Sequence, residues 1–229
     1  MKNSLPPGQK SIDSFPRFGL SQYANRFPSN TDSIQIEIGG DCSGFLDAQT
    51  FNDMPRVNQT SDFHCVTTWT KQSLHWSGVK FKDLVDTFIS KHTDDLSAFT
   101  FVVLKAQDGY KTGMMLEDLL QDDVILADTL NGEKLNIAHG APVRLVAPAH
   151  YGYKNLKHLY RLEFYKEQVA VKQGYLRFMD HPRARVEKEE RASGGPDWFF
   201  RYLYRPLIPS SVKQFANALE EHQGTTITS

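Results

Sequence analysis

His139-Gly-Ala-Pro-Val-Arg-Leu-Val-Ala-Pro148, continued by Ala149-His-Tyr-Gly-Tyr-Lys-Asn-Leu-Lys157, sets one short apolar run between two polar, glycine-containing turns. Val143–Ala147 is β-branched and aliphatic and is bounded by proline on both sides, which predicts a strand. Arg144 stands inside it. A guanidinium taken out of water needs an anion or several acceptors to offset its desolvation, and a structural carboxylate serves as well as a ligand. Gly152, Lys154, Asn155 and Lys157 then add backbone amides and cations, a combination that suits a phosphate better than one carboxylate.

Outward from this block the same short-strand pattern recurs. Phe99–Leu104, Val124–Ala127 and Tyr160–Tyr165 are β-branched or aromatic runs, separated by turn chemistry at Asp108-Gly109 and Asn131-Gly132. Ile34-Gln-Ile-Glu-Ile38 alternates strictly and meets Gly39-Gly40, which predicts a half-buried strand ending in a turn. Phe81, Leu84, Val85, Phe88 and Ile89 recur at helical spacing, so Phe81–Lys91 is predicted as an amphipathic helix. Strands and helices mix without regular βαβ alternation, and no repeat is visible. The expected class is α+β with mixed β-sheets and flanking helices.

The 229 residues allow one sizeable core, and 40% hydrophobic with 23% charged residues is the balance of a water-soluble globular chain. A formal net charge of -1 supplies no general field for nucleic acid or an anionic membrane. No run reaches the roughly 18 apolar residues of a bilayer span. The amino terminus carries several prolines and polar residues but neither an apolar signal stretch nor a twin-arginine pair, so 1–14 is expected as a flexible tail and the cytoplasm as the location. The main domain is expected over 15–178. From 179 to 229 the composition changes: His181-Pro-Arg-Ala-Arg-Val-Glu-Lys-Glu-Glu-Arg191 reads as a charged, exposed arm. Behind it, an aromatic helix from Asp197 to Tyr204 and a last helix bearing Val212, Phe215 and Leu219 are expected to pack either on the core or on a partner, a homodimer contact being one such arrangement.

Two cysteines are too few for a disulfide framework or a zinc site built from thiolates. Cys65 lies in Asp62-Phe-His-Cys-Val-Thr-Thr-Trp69, between aromatics and beside His64. This neighbourhood alone fits a buried, inert thiol as well as a metal ligand, or a nucleophile served by His64 or His139.

Read together, these blocks resemble the molybdopterin-dependent oxidoreductases of the sulfite oxidase type, a family that includes the catalytic subunit of the periplasmic methionine-sulfoxide reductase. The chain is most similar to a small cytoplasmic sulfite oxidase-like subgroup. The resemblance rests on blocks in fixed order: Cys65-Val-Thr-Thr-Trp69, Trp76-Ser-Gly-Val79 with the helix from Phe81, Asp108-Gly109-Tyr110, the Asn131-Gly132 turn before His139–Arg144, and Tyr151–Lys157. They cover roughly Ile34 to Phe164, and five blocks in order are far more specific than any one of them.

The resemblance implies a molybdenum–molybdopterin cofactor with the Cys65 thiolate on the metal, a soft donor suited to such a centre. It implies that His139 and Arg144 contact pterin or phosphate, and that Asn155, Leu156 and Lys157 form a phosphate-binding turn. Arg17 and Asn25 match looser cofactor-contacting positions. Tyr175 matches an active-site tyrosine able to donate a hydrogen bond to substrate oxygen. The implied activity is two-electron oxygen-atom transfer on a small oxyanion or S-oxide, served by an unidentified electron-transfer partner; the alternative is a non-catalytic cofactor carrier or scaffold. The chain departs from sulfite oxidases around Cys65, where Thr67, Thr68 and Lys71 replace a recognisable arginine cluster. No haem-binding or immunoglobulin-like segment is recognisable either, and the substrate is left unassigned.

Overall fold

The computed structural model describes residues 5–171, 181–193 and 197–227. In chain order the elements are β1 (Lys10–Ser11), β2 (Ile36–Gly40), β3 (Gly44–Leu46), α1 (Ala48–Asn52), β4 (Arg56–His64) and β5 (Trp69–Lys80). There follow α2 (Phe81–Thr87), β6 (Phe101–Ala106), β7 (Lys111–Met115), α3 (Leu116–Leu119), β8 (Ile125–Leu130) and β9 (Glu133–Lys134). β10 (Arg144–Val146), β11 (Leu159–Tyr165), α4 (Asp197–Tyr204) and α5 (Leu207–Ile227) complete them.

Two mixed sheets form. One runs β3-β2-β11-β6-β7, with β2 parallel to β11 and the other pairs antiparallel. The other runs β1-β5-β8-β10, with β4 along β5 and β9 on β8. Ile36, Ile38, Leu104 and Leu162 from the first sheet meet Leu126 and Leu145 from the second, with Val143 just before β10, and α2 adds Phe81, Leu84 and Val85 to the same core. The opposite face of the second sheet buries Leu74, Trp76, Ile125 and Val146, with Phe15 and Phe63 packed against them. This is the α+β arrangement that the short strands and the single clear helix predict.

Several boundaries move for identifiable reasons. Gly39-Gly40 belongs to β2 rather than to a turn, because β11 lies so close that a Cβ on Gly40 would collide with the Phe164 backbone. α2 gives way after Thr87 to a 3-10 turn over Ile89–His92. The Thr87 and Ser90 hydroxyls donate to the Asp83 and Asp86 carbonyls, 2.6 Å each, and such back-bonding competes with the helical ladder.

Both flanks are tied to the core. β1 pairs in parallel with Trp69 and Thr70 of β5, so the segment expected as a tail over 1–14 is anchored at Lys10–Ser11. The charged run does not form a solvated arm: Ala184, Val186 and Arg191 are buried, and the Arg191 guanidinium donates to the Val66 and Pro7 carbonyls. Two of its carboxylates are matched, Glu190 by Arg185 within the run and Glu189 by Arg191 and by Arg201 of α4. Among the described residues no helix is long and apolar enough to cross a membrane.

Candidate active site

The longest hairpin, β4–β5, turns at the cysteine. Cys65 N donates to Trp69 O at 2.8 Å and Thr68 N donates to Cys65 O at 3.1 Å, closing a three-residue loop, Val66-Thr67-Thr68. Loops of this length need their third residue in the left-handed region, and Thr68 takes it with φ +82°. A β-branched residue there is strained, so the loop must be held from outside. The holding groups come from both ends of the chain: Gln9 Nε2 donates to Cys65 O at 3.0 Å, Arg191 to Val66 O, and Lys10 N to Thr68 O at 3.0 Å. Gln9 in turn accepts from the Thr70 hydroxyl, which is also bonded to His64 Nδ1 at 2.9 Å. His64 therefore braces the hairpin and does not reach the thiol.

Cys65 is buried, with Sγ 3.1 Å from Thr67 Oγ1. Burial pushes the thiol up to about 11, outweighing the Thr67 hydrogen bond and the nearby Arg191 and Lys157 charges. A free thiolate nucleophile needs the opposite shift, so this geometry gives a cysteine-nucleophile reading no support.

The Cys65 side of the loop faces a cavity of about 360 Å³. Arg17, Asp108, Asn155, Leu156 and Lys157 also line it, so residues far apart in sequence share one space. Two glycines make the assembly possible. Gly140 has φ +113°, and a Cβ there would lie 3.1 Å from the Cβ atoms of both Arg144 and Lys157. Gly152 lies so near the Phe63 ring that a Cβ would collide with it, and its N–H donates to His64 O at 2.7 Å, bringing the 151–157 block up to the cysteine hairpin.

Lys157 keeps part of its surface open to the cavity although its surroundings are remote from bulk water. Its ammonium donates to Ala138 O at 2.9 Å. Burial, then repulsion from Arg144 and Arg17, lowers it to about 7, against opposing attraction from Asp108 and Cys65. Asp108 is itself raised by burial despite Lys157, Arg17 and Arg26 nearby. Two basic residues, Arg17 and Lys157, thus share a largely apolar cavity with one weakened carboxylate, Asp108.

Arg144 is fully buried, and among the described residues no carboxylate pairs with it. Its guanidinium donates to the carbonyls of His139 at 2.9 Å, Asn155 at 3.1 Å and Leu145 at 3.4 Å, and it lies 5.1 Å from the Trp76 ring centroid. Desolvation lowers it to about 9. It stands behind the cavity wall and holds the backbone of both neighbouring blocks. The Asn155 side chain is committed likewise, accepting from Ala147 N at 2.7 Å and donating to the Ala147, His150 and Tyr151 carbonyls. The His139 ring stacks on Phe15 at 4.7 Å; its Nδ1 is buried with no hydrogen-bond partner among the described residues, and burial followed by repulsion from Lys157 and Arg144 lowers the ring to about 3.

Arg17 lines the cavity while its guanidinium donates to the carbonyls of Ala24 at 2.7 Å and Arg26 at 3.1 Å. It also lies 4.9 Å from the ring centroid of Phe215, which with Ser211 extends the wall from α5. Asn25 is exposed and away from this wall, and Tyr175 lies outside the described residues. Sequence reasoning missed Gln9, read Arg191 as part of an exposed arm and Phe215 only as part of a packing stripe, because their roles at the site depend on distant segments folding back. Asp108 sat in a quoted turn and was legible there only as turn chemistry.

A cysteine sulfur and two basic side chains share one cavity, a set that could hold a soft metal with an anionic group, and residues 24–174 match the family described as the oxidoreductase molybdopterin binding domain. The chain belongs to this family. It is 30% identical over 163 residues to the uncharacterized oxidoreductase YuiH of Bacillus subtilis, covering 71% of this chain and 80% of that one. It is 27% identical over 155 residues to the protein-methionine-sulfoxide reductase catalytic subunit MsrP of Campylobacter jejuni, covering 61% of this chain and 51% of MsrP. The chain therefore spans about half the length of that relative. Among solved structures, the sulfane dehydrogenase SoxCD of Paracoccus pantotrophus shares the fold with a TM-score of 0.54 at 20% identity, over 66% of this chain and 44% of that one. The chain is thus a sulfite-oxidase-type molybdopterin oxidoreductase related to MsrP, and its domain implies a molybdopterin cofactor.

Proposed function

We propose that this chain holds molybdenum–molybdopterin in the 360 Å³ cavity and catalyses two-electron oxygen-atom transfer on a small oxyanion or S-oxide. The observation that carries the reading is that Cys65 and Lys157, from blocks far apart in sequence, wall the same space. When bound, such a cofactor supplies the oxygen-atom exchange; the chain supplies ligation, orientation and electrostatics. Cys65 presents its sulfur from a braced loop as the metal's protein ligand. Lys157 and Arg17 offer positive charge to the anionic tail, and His139 contributes from behind the wall, through its stacking on Phe15, which lines the cavity. Arg144, Asn155 and Leu156 contribute by fixing the backbone around that tail. Asn25 and Tyr175 remain with the proposal as a peripheral contact and as a substrate-facing phenol. An electron-transfer partner, a homodimer contact through the carboxy-terminal helices and residence in the cytoplasm belong to the same reading, and subcellular fractionation tests the last of these.

The test is the molybdenum and pterin content of chain made in a cofactor-competent host. Both should approach one per polypeptide. Cys65→Ser should fold and keep much of the pterin while turnover drops by about 100-fold or more. Parent chain free of molybdenum and pterin, or full turnover in Cys65→Ser, sinks the reading.

A further inference from the structure

Thr67 is buried on the cavity wall, and its hydroxyl has the Cys65 sulfur as its one hydrogen-bond partner among the described residues, at 3.1 Å. The loop that carries both cannot easily re-aim them. The carbonyls of Cys65, Val66 and Thr68 are each taken by a group from elsewhere, Gln9, Arg191 and Lys10. Arg205 Nε adds a long contact to the Thr68 hydroxyl at 3.4 Å. Between a thiol and a hydroxyl the hydrogen bond runs either way. A metal-bound thiolate carries no hydrogen, so only the hydroxyl then donates.

We propose that Thr67 is a positioning residue whose hydroxyl donates to the metal-bound Cys65 sulfur and raises the reduction potential of the centre. The proposal rests on the cofactor reading above. A donor to a ligating sulfur withdraws electron density from it, weakens its donation to the metal and favours the reduced state. A residue serving only the turn would leave the potential alone. Thr67 thus biases which direction of oxygen-atom transfer the centre performs with a given electron partner.

The test uses metal-loaded protein. Thr67→Val keeps shape and removes the donor; its potentials, read by a redox titration followed by electron paramagnetic resonance, should fall. Its sulfur-to-metal absorption band should move to longer wavelength, at parental molybdenum and pterin content. Thr67→Ser restores the donor and should restore both readings. A measurement on the parent guards against a variant that fails to load: the metal–sulfur stretch in the vibrational spectrum should shift on exchange into heavy water. Parental potentials and band in a loaded Thr67→Val, or a stretch insensitive to exchange, overturn the Thr67 assignment and leave the cofactor reading standing. A parent chain without molybdenum overturns both.

Discussion

Gly140 sits so close to Lys157 that a Cβ on the glycine would lie 3.1 Å from the lysine's own Cβ. His158 N also donates to Gly140 O at 3.2 Å, so this contact joins the 139–148 block to the 151–157 block. Gly140→Ala adds a left-handed strain at φ +113° to the crowding. It should cost about 1–3 kcal/mol in chemical denaturation, with molybdenum content falling in parallel because Lys157 is displaced. An alanine variant of parental stability and parental loading would show that the two blocks need no such close approach.

Lys157 makes a prediction with a definite sign. Its folded value is about 7 against an ordinary 10.5, so between those limits the unfolded chain binds a proton that the folded chain does not. Metal-free parent should therefore gain stability as pH rises from 7 to 9, and the full penalty of the buried ammonium is present below 7. Above 9 two further groups act with opposite signs: Cys65, raised to about 11, stays protonated in the folded chain while the unfolded thiol ionises, and Arg144, lowered to about 9, continues the rise. Lys157→Met should flatten the rise between pH 7 and 9. A slope unchanged in that variant, measured by urea denaturation, would assign it to other groups.

Arg144 separates a backbone-holding role from a ligand role. Its donors to His139 and Asn155 exist without any cofactor, so Arg144→Met should destabilise the metal-free chain by about 2–3 kcal/mol through carbonyls left unpaired. A group present only to contact a ligand would leave metal-free stability within about 0.5 kcal/mol of the parent.

How much of this was legible in the sequence depends on how local each signal is. Strands β2, β6, β8, β10 and β11 and helix α2 announce themselves by runs or periodicity, because each buries one face or both in a hydrophobic core. β4 does not: Arg56–His64 shows mostly half-exposed polar positions, since the sheet there is covered in part by chain arriving from far away. The cavity-lining Cys65 and Lys157 were reachable through ordered blocks. The bracing set was not, because Gln9 and Arg191 matter only through carbonyls they meet in three dimensions. Arg144 illustrates the limit on the other side: its type demanded several acceptors or an anion, and the backbone met the demand with acceptors.

Arg17 bonds Ala24 and Arg26 near the start of the chain and lies against Phe215 near its end. Ser211 and Phe215 line the same cavity as Cys65. The pocket therefore depends on residues that follow both the cysteine and the lysine in sequence: until Ser211 and Phe215 are in place, Cys65 and Lys157 face a space that lacks one wall.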